Sequence, residues 1–158
     1  MLGLHMTQIR RRSVKTQFGM LCLSEEAGEI TRLDWGISAC DRSDVLDVAE
    51  IQILAYARGE LETFDLPRKV KGTNFQRDVC DAIFEIPFGY TRTYGEIAKD
   101  LGVPAQVVGQ ACGGNPIPII IPCHRVMGAK GLTGFSGEGG VETKVALLRH
   151  ECAAGLLI

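Results

Sequence analysis

Apolar and polar positions change period several times along the chain. Phe18 to Ser24 is a short apolar run of strand length. Glu25-Glu26-Ala27-Gly28 interrupts it, and Glu29 to Trp35 is a second run, so the two predict a β-hairpin. From Asp41 to Gly59 the spacing becomes helical: Val45, Val48 and Ala49 with Gln52 and Tyr56 mark one face, Asp44 is placed to cap the start, and Gly59 ends it. Phe64 to Leu66 reads as one more short strand before Pro67. Ahead of all this, Met1 to Ser13 has no apolar period and reads as a loose tail. The polar, basic stretch Arg68-Lys69-Val70-Lys71-Gly72 is expected to be a solvated linker between two units, residues 1–67 and 73–158.

The second unit has the pattern of short helices. Thr73-Asn74-Phe75-Gln76 has capping-box spacing, and Phe75, Val79, Ala82 and Ile83 form an apolar stripe to about Glu85. Pro87-Phe88-Gly89-Tyr90 breaks it. Thr93-Tyr94-Gly95-Glu96 is a second capping box, opening a helix through Ile97 and Leu101. Gly102-Val103 makes a turn, Pro104 fits the first turn of another helix, and that helix carries Val107, Val108 and Ala111 to Gly113-Gly114. Two short helices across a tight glycine-containing turn form a helix-turn-helix pattern. Ala105, Gly109 and Ala111 are small enough to let the second helix lie close to a backbone, or to pack closely inside the protein. A glycine-rich loop then spans Gly128 to Gly140, with Phe135-Ser136-Gly137 as a possible flap. A last helix from about Val141 is expected to turn Val145 and Leu148 inward and to end near His150-Glu151.

Between these helices and the loop lies a stretch that fits neither pattern. From Asn115 to Val126 the chain reads Asn-Pro-Ile-Pro-Ile-Ile-Ile-Pro-Cys-His-Arg-Val. The isoleucines require burial, whereas three prolines exclude a helix interior or a central strand. An extended, rigid, buried segment is expected, holding Cys123 in one place with His124 and Arg125 after it. A thiol attacks as its thiolate and needs a base or a positive field to form it. A histidine in the same segment can supply the base, through a water or a local kink. A buried structural cysteine beside a hydrogen-bonded histidine is the alternative.

Composition narrows the setting. Hydrophobic residues make up 46% and charged residues 23% of the 158, values of an ordinary globular protein. The formal net charge is −2, so any nucleic-acid face has to be local. No apolar run reaches the roughly 18 residues of a membrane span, and no signal peptide is visible behind Arg10-Arg11-Arg12. The six cysteines are scattered, without Cys-x-x-C spacing or a Cys/His quartet. This argues against a zinc site and a disulfide framework, and for a reducing cytoplasmic setting.

Pro122-Cys123-His124-Arg125-Val126, preceded by Asn115-Pro116 and the isoleucine run, closely resembles the signature of the 6-O-alkylguanine-DNA alkyltransferases. The likeness runs from about Phe75 to Glu151 and includes Phe88-Gly89-Tyr90-Thr91-Arg92-Thr93-Tyr94-Gly95-Glu96-Ile97, Leu132 to Gly137, Lys144 and Leu147 to Glu151. The resemblance implies a small α/β N-terminal domain, ribonuclease H-like, on a mainly α C-terminal domain with a winged-helix-like helix-turn-helix. It implies single-turnover transfer of an alkyl group from O6 of a flipped-out guanine in duplex DNA to Cys123, with O4 of thymine as a second candidate donor. No cofactor or metal is implied, and a monomer is expected. By the same resemblance His124 acts as base through a water, Glu151 orients it, and Tyr94 meets guanine N3. Asn115 braces the active-site turn, Ser136 meets the guanine oxygen, Val126 lines the pocket and Arg125 is mainly structural. Two departures stand out. Gln106 occupies the position where the family usually has an arginine that fills the gap left by the flipped base, which predicts weaker binding or slower flipping. The stretch from Ser136 to Lys144 is about two residues longer than the shorter family forms. A helix-turn-helix lesion sensor without chemistry and a Cys-His-Glu thiol hydrolase remain as alternative classes.

Overall fold

The computed structural model describes residues 8–129 and 140–153. Three antiparallel strands open it in the order β1-β2-β3: β1 Ile9–Thr16, β2 Gly19–Glu26 and β3 Glu29–Trp35. Helix α1, Asp44–Ala57, packs against them. The remainder is mainly helical: α2 Asn74–Phe84, α3 Tyr94–Leu101, α4 Ala105–Gly113 and α5 Val141–His150. Two short strands, β4 Arg92–Thr93 and β5 Val126–Met127, pair in parallel. The expected small sheet plus helix, followed by a mainly helical region, is the architecture observed. Among the described residues no helix is long and apolar enough to cross a membrane.

The predicted hairpin is present as β2 and β3, joined at Ala27 and Gly28, both at positive φ (53° and 83°). That pair of left-handed residues matches the right-handed twist of the flanking strands. The predicted tail is a correction. Its residues from Ile9 onward form β1, which pairs with β2 along its whole length, Ser13 opposite Cys22. The sequence hides this strand because only Val14 of β1 is buried. Arg12 stands where an apolar residue would mark an inward face, and its guanidinium reaches Asp47 (2.7 Å) and Glu50 (3.0 Å) of α1. Both sheet edges are covered, β1 by Ala39 to Asp41 and β3 by Pro67, Lys69 and Pro116, which leaves no long open edge among the described residues.

Several local expectations shift. Ser43, not Asp44, caps α1 by accepting from the Leu46 N–H at 3.1 Å, and Asp44 becomes a first-turn acid. The buried face of α1 is Leu46, Ala49, Ile53 and Tyr56, while Val48 is exposed. The exposed side of this helix also carries apolar residues, Val48 and Ile51, so its period does not single out one face. Phe64 and Leu66 are buried but form no strand. The linker is tethered: Arg68 stacks over the Phe84 ring at 3.7 Å, and Lys71 pairs with Glu26 at 2.5 Å.

In the helical part, Thr73 caps α2, but Gln76 does not close the box. Its amide instead donates to the Ala111 carbonyl at 2.8 Å and ties α2 to α4. The box at Thr93 and Glu96 is complete. Helix α3 ends at Gly102, in the left-handed region at φ 69°, where a side chain would be strained. Pro104 is the cap residue of α4, one position before the first turn. On α5, Lys144 rather than Val145 joins Leu147 and Leu148 inside. The apolar core runs without a break from Val14 and Leu23 through Ile53 to Val79, Ile97, Ile121 and Leu147.

Candidate active site

The Asn115–Val126 stretch is buried, as its isoleucines require: Ile117, Ile119, Ile120 and Ile121 are all at most 2% exposed. Asn115 holds it in shape. Its Nδ2 donates to the Ile121 carbonyl at 2.8 Å, and its Oδ1 accepts from the Ile117 N–H at 3.0 Å. One side chain thereby closes a loop whose prolines cannot supply backbone donors. Ile119 sits at φ 71°, an unfavourable conformation for a β-branched residue that the surrounding packing has to hold. From outside, the Leu33 N–H of β3 donates to the Pro116 carbonyl at 3.0 Å.

The segment stops being extended at its end. Cys123, His124 and Arg125 form one turn of 3-10 helix, with the Arg125 N–H bonded to the Pro122 carbonyl. This turn is a local kink, one of the two expected ways of coupling the pair, and it sets how the thiol and the imidazole are disposed. Val126 and Met127 then pair with Arg92 and Thr93. That ladder fixes the start of α3, where Tyr94 sits half-buried, beside the segment that carries Cys123.

Glu151, the C-cap residue of α5, is 1% exposed and is the hub of the site. His124 Nε2 lies 2.7 Å from its Oε2. Arg125 grips it with two bonds, Nε to Oε1 at 2.8 Å and Nη2 to Oε2 at 3.0 Å. The Tyr56 hydroxyl of α1 donates to Oε2 at 2.5 Å. Burial pushes the carboxyl up, but the hydrogen bonds and charges of His124 and Arg125 outweigh it and hold it at about 2. Glu151 is therefore ionised at neutral pH. Arg125 Nη1 also donates to the Ile86 carbonyl at 2.6 Å.

With a carboxylate on Nε2, the imidazole carries its proton there, and Nδ1 presents a lone pair. Nδ1 is the one buried side-chain nitrogen or oxygen among the described residues that no protein group partners. Burial lowers the His124 pKa below its usual value, against the pull of Glu151, so the ring is neutral and able to accept a proton. Cys123 is 6% exposed. Burial pushes its thiol up to about 11, countered by a hydrogen bond from Asn115 and the positive field of Lys144. At rest it is a thiol, so the thiolate has to form during the reaction.

Cys80 and Cys112 lie buried nearby, and burial raises both thiols, as expected of packing cysteines. Among the described residues no group of His, Cys, Asp and Glu is arranged to hold a metal ion. Ala105 and Gln106 are exposed on the first turn of α4, with Gly109 one turn on. A Cβ at Gly109 would meet nothing within 4 Å, so internal packing does not demand the glycine. Ser136 lies outside the described residues.

Two residues of this neighbourhood were not singled out from sequence as site residues. Lys144 is 1% exposed and donates from Nζ to the Val126 carbonyl at 2.7 Å. Its signal was available, as a lysine one helical turn before the buried Leu147 and Leu148. Tyr56 is 95 positions from the carboxylate it touches, and local pattern cannot reveal such a pair.

A family model described as 6-O-methylguanine DNA methyltransferase, DNA binding domain, matches residues 74–153. The chain is 46% identical over 142 residues to a Mycobacterium bovis protein named methylated-DNA–protein-cysteine methyltransferase, covering 88% of this chain and 81% of that one. A Bacillus subtilis protein of the same name, designated constitutive, is 39% identical over 154 residues, covering 88% and 93%. The crystal structure of the Mycobacterium tuberculosis O6-methylguanine methyltransferase superposes with a TM-score of 0.82 at 39% identity, covering 92% and 93% of the two chains. A crystal structure of Mycobacterium tuberculosis OGT in complex with DNA gives 0.81 at 41% identity, covering 90% and 92%.

Proposed function

The chain belongs to the methylated-DNA–protein-cysteine methyltransferase family, and we propose that it repairs DNA by direct reversal, moving an alkyl group from O6 of guanine to Cys123. The observation that carries the assignment of roles is the buried chain of hydrogen bonds from Arg125 through Glu151 to His124, ending at an unpartnered Nδ1 one residue from the thiol. His124 takes the Cys123 proton at Nδ1 through a water. The sulfur then attacks the alkyl carbon, the S–C bond forms as the C–O6 bond breaks, and the electron pair stays with guanine. The proton leaves the imidazolium and ends on the guanine, Tyr94 helping the leaving base at N3. Atoms and charge balance: thiol and O6-alkylguanine give thioether and guanine. A thioether offers no easy leaving group, so each molecule turns over once.

The target oxygen is inside the duplex, so the base has to leave the stack, at a cost of a few kcal/mol that is smaller for a poorly paired base. In this reading residues 73–158 hold the DNA. Helix α4 approaches the duplex by its first turn, with Ala105 and Gly109 allowing close contact and Gln106 facing the gap left by the flipped base. Val126 lines the guanine pocket, and Ser136 acts from the loop. Residues 1–67 form the supporting domain. The protein acts as a monomer on double-stranded DNA in the reducing cytoplasm, a setting consistent with its cysteines being free thiols.

Intact mass before and after incubation with a duplex carrying one O6-methylguanine tests this directly, with Cys123→Ala in parallel. The expected result is a gain of one methylene on Cys123, saturating at one per molecule and missing from the variant. Tight binding to the lesion without any gain would overturn the acceptor reading in favour of a lesion sensor. Repeated turnover of a small ester would favour a thiol hydrolase.

A further inference from the structure

The N-terminal unit contributes one atom to the acid–base chain itself. Tyr56, the penultimate residue of α1 and 1% exposed, points its hydroxyl into the helical half. Its Oη donates to Glu151 Oε2 at 2.5 Å. That oxygen already takes His124 Nε2 and Arg125 Nη2, whereas Oε1 takes Arg125 Nε. Three donors thus share one carboxylate oxygen, and what Tyr56 draws from it is withheld from His124. Tyr56 is itself held: the Tyr56 carbonyl lies 2.7 Å from His150 Nε2, and its ring is flanked by Phe18, Phe64 and Phe88.

We infer that Tyr56 is a positioning residue that sets the basicity of His124 through Glu151, so that α1 tunes the proton acceptor from the other side of the molecule. The inference rests on the reading of His124 as the base. A hydroxyl in this place has two effects. It fixes the carboxylate in the plane His124 needs, and it spreads the carboxylate charge so that the imidazolium is less stabilised. The site is already crowded with charge. Cys123 and Arg125 adjoin His124 on its own turn, Lys144 and His150 face the cluster from α5, and Cys112 approaches from α4. On the carboxylate itself Arg125 donates with a charge, while His124 and Tyr56 donate as neutral groups, and Tyr56 is the donor that comes from α1. Burial and the neighbouring carboxylate keep its phenol protonated, raising it far above its ordinary range.

The test compares the intact wild-type chain with Tyr56→Phe and with 3-fluorotyrosine at position 56, by nitrogen-15 histidine NMR across pH. The three histidines are told apart by replacing His5 and His150 in turn. Tyr56→Phe is expected to raise the His124 midpoint by about half a unit or more, in line with losing one hydrogen bond to the charged partner. The acid limb of single-turnover methyl transfer is expected to move with it, at unchanged affinity for the lesion duplex. The fluorinated residue keeps the shape and donates more strongly, so it is expected to move His124 the opposite way. His124 signals that stay in place under both replacements, whatever the melting temperature does, would overturn the inference and leave Tyr56 a packing residue. Absence of methyl transfer by the wild type would instead remove the repair reading and leave the NMR comparison intact.

Discussion

At the scale of single residues, the chemistry depends on keeping one charge ionised in a dry place. Glu151 is fully buried and Arg125 nearly so, and removing one partner of such a pair strands the other. Arg125→Met is expected to destabilise the fold by about 3–5 kcal/mol, read by urea denaturation, and to lower the transfer rate because Glu151 then competes for a proton. The pH dependence has a definite sign. The Glu151 carboxyl is depressed to about 2 from an unfolded value of 4.5, so its stabilisation is complete above about 4.5 and is lost as pH falls towards 2. It amounts to on the order of 3 kcal/mol. Glu151→Gln is expected to flatten acid unfolding across that window, and an unchanged acid limb would contradict it. Cys123 and His124 were legible in the sequence because their signal is local: prolines, isoleucines and a nucleophile with a base inside twelve residues, whereas the bracing role of Asn115 came from the family likeness. Glu151 was legible only through a family likeness, and Tyr56 not at all, because its contact with Glu151 exists only once the chain has folded.

At the scale of elements, the same proximity rule decides what could be read. Caps and turns are written within four residues, so α2, α3, α4 and α5 appear close to their expected places. Strand β1 was missed because its partner for Arg12 is a pair of acids on α1 rather than an apolar neighbour, and alternation in hydrophobicity is blind to that. The face of α1 was blurred because Val48 and Ile51 are apolar yet exposed. The complete capping box of α3 bears on the proposed role of Tyr94, the next residue after Thr93. Thr93→Ala leaves the Glu96 N–H without its acceptor and is expected to cost about 1 kcal/mol of stability. It should also slow methyl transfer more than binding, because it loosens Tyr94; equal loss of both would point to unfolding alone. Helix α4 carries a different expectation. Gln106 is exposed and uncharged, and an arginine there would add one phosphate or orphan-base contact. Gln106→Arg should tighten lesion binding, steepen the slope of log K against log salt by roughly one, and speed flipping. Unchanged flipping and repair rates would rule out the expectation that Gln106 weakens binding or slows flipping.

At the scale of the molecule, the boundary at residues 68–72 divides the sequence more sharply than it divides the structure. The core is continuous across it, and the helical half depends on the sheet half at defined atoms. Leu33 holds Pro116 at the base of the active-site segment, and Tyr56 holds Glu151. Phe18 packs edge-on against His150 at 5.3 Å. Separating the halves would expose the apolar residues between them and leave Glu151 one donor short in a less enclosed site. A chain of residues 73–158 contains every residue assigned to the chemistry, and by sequence alone it would be expected to repair DNA. The structure gives the opposite expectation. That fragment should melt without a cooperative transition, or at a much lower temperature than the whole chain. Any methyl transfer it retains should be far slower, on DNA it still binds through α4. Calorimetry and single-turnover transfer on the same samples decide the matter. A fragment that melts and reacts like the intact protein would show that the contacts from Leu33 and Tyr56 are dispensable, and with them the case that the N-terminal unit is part of the active site.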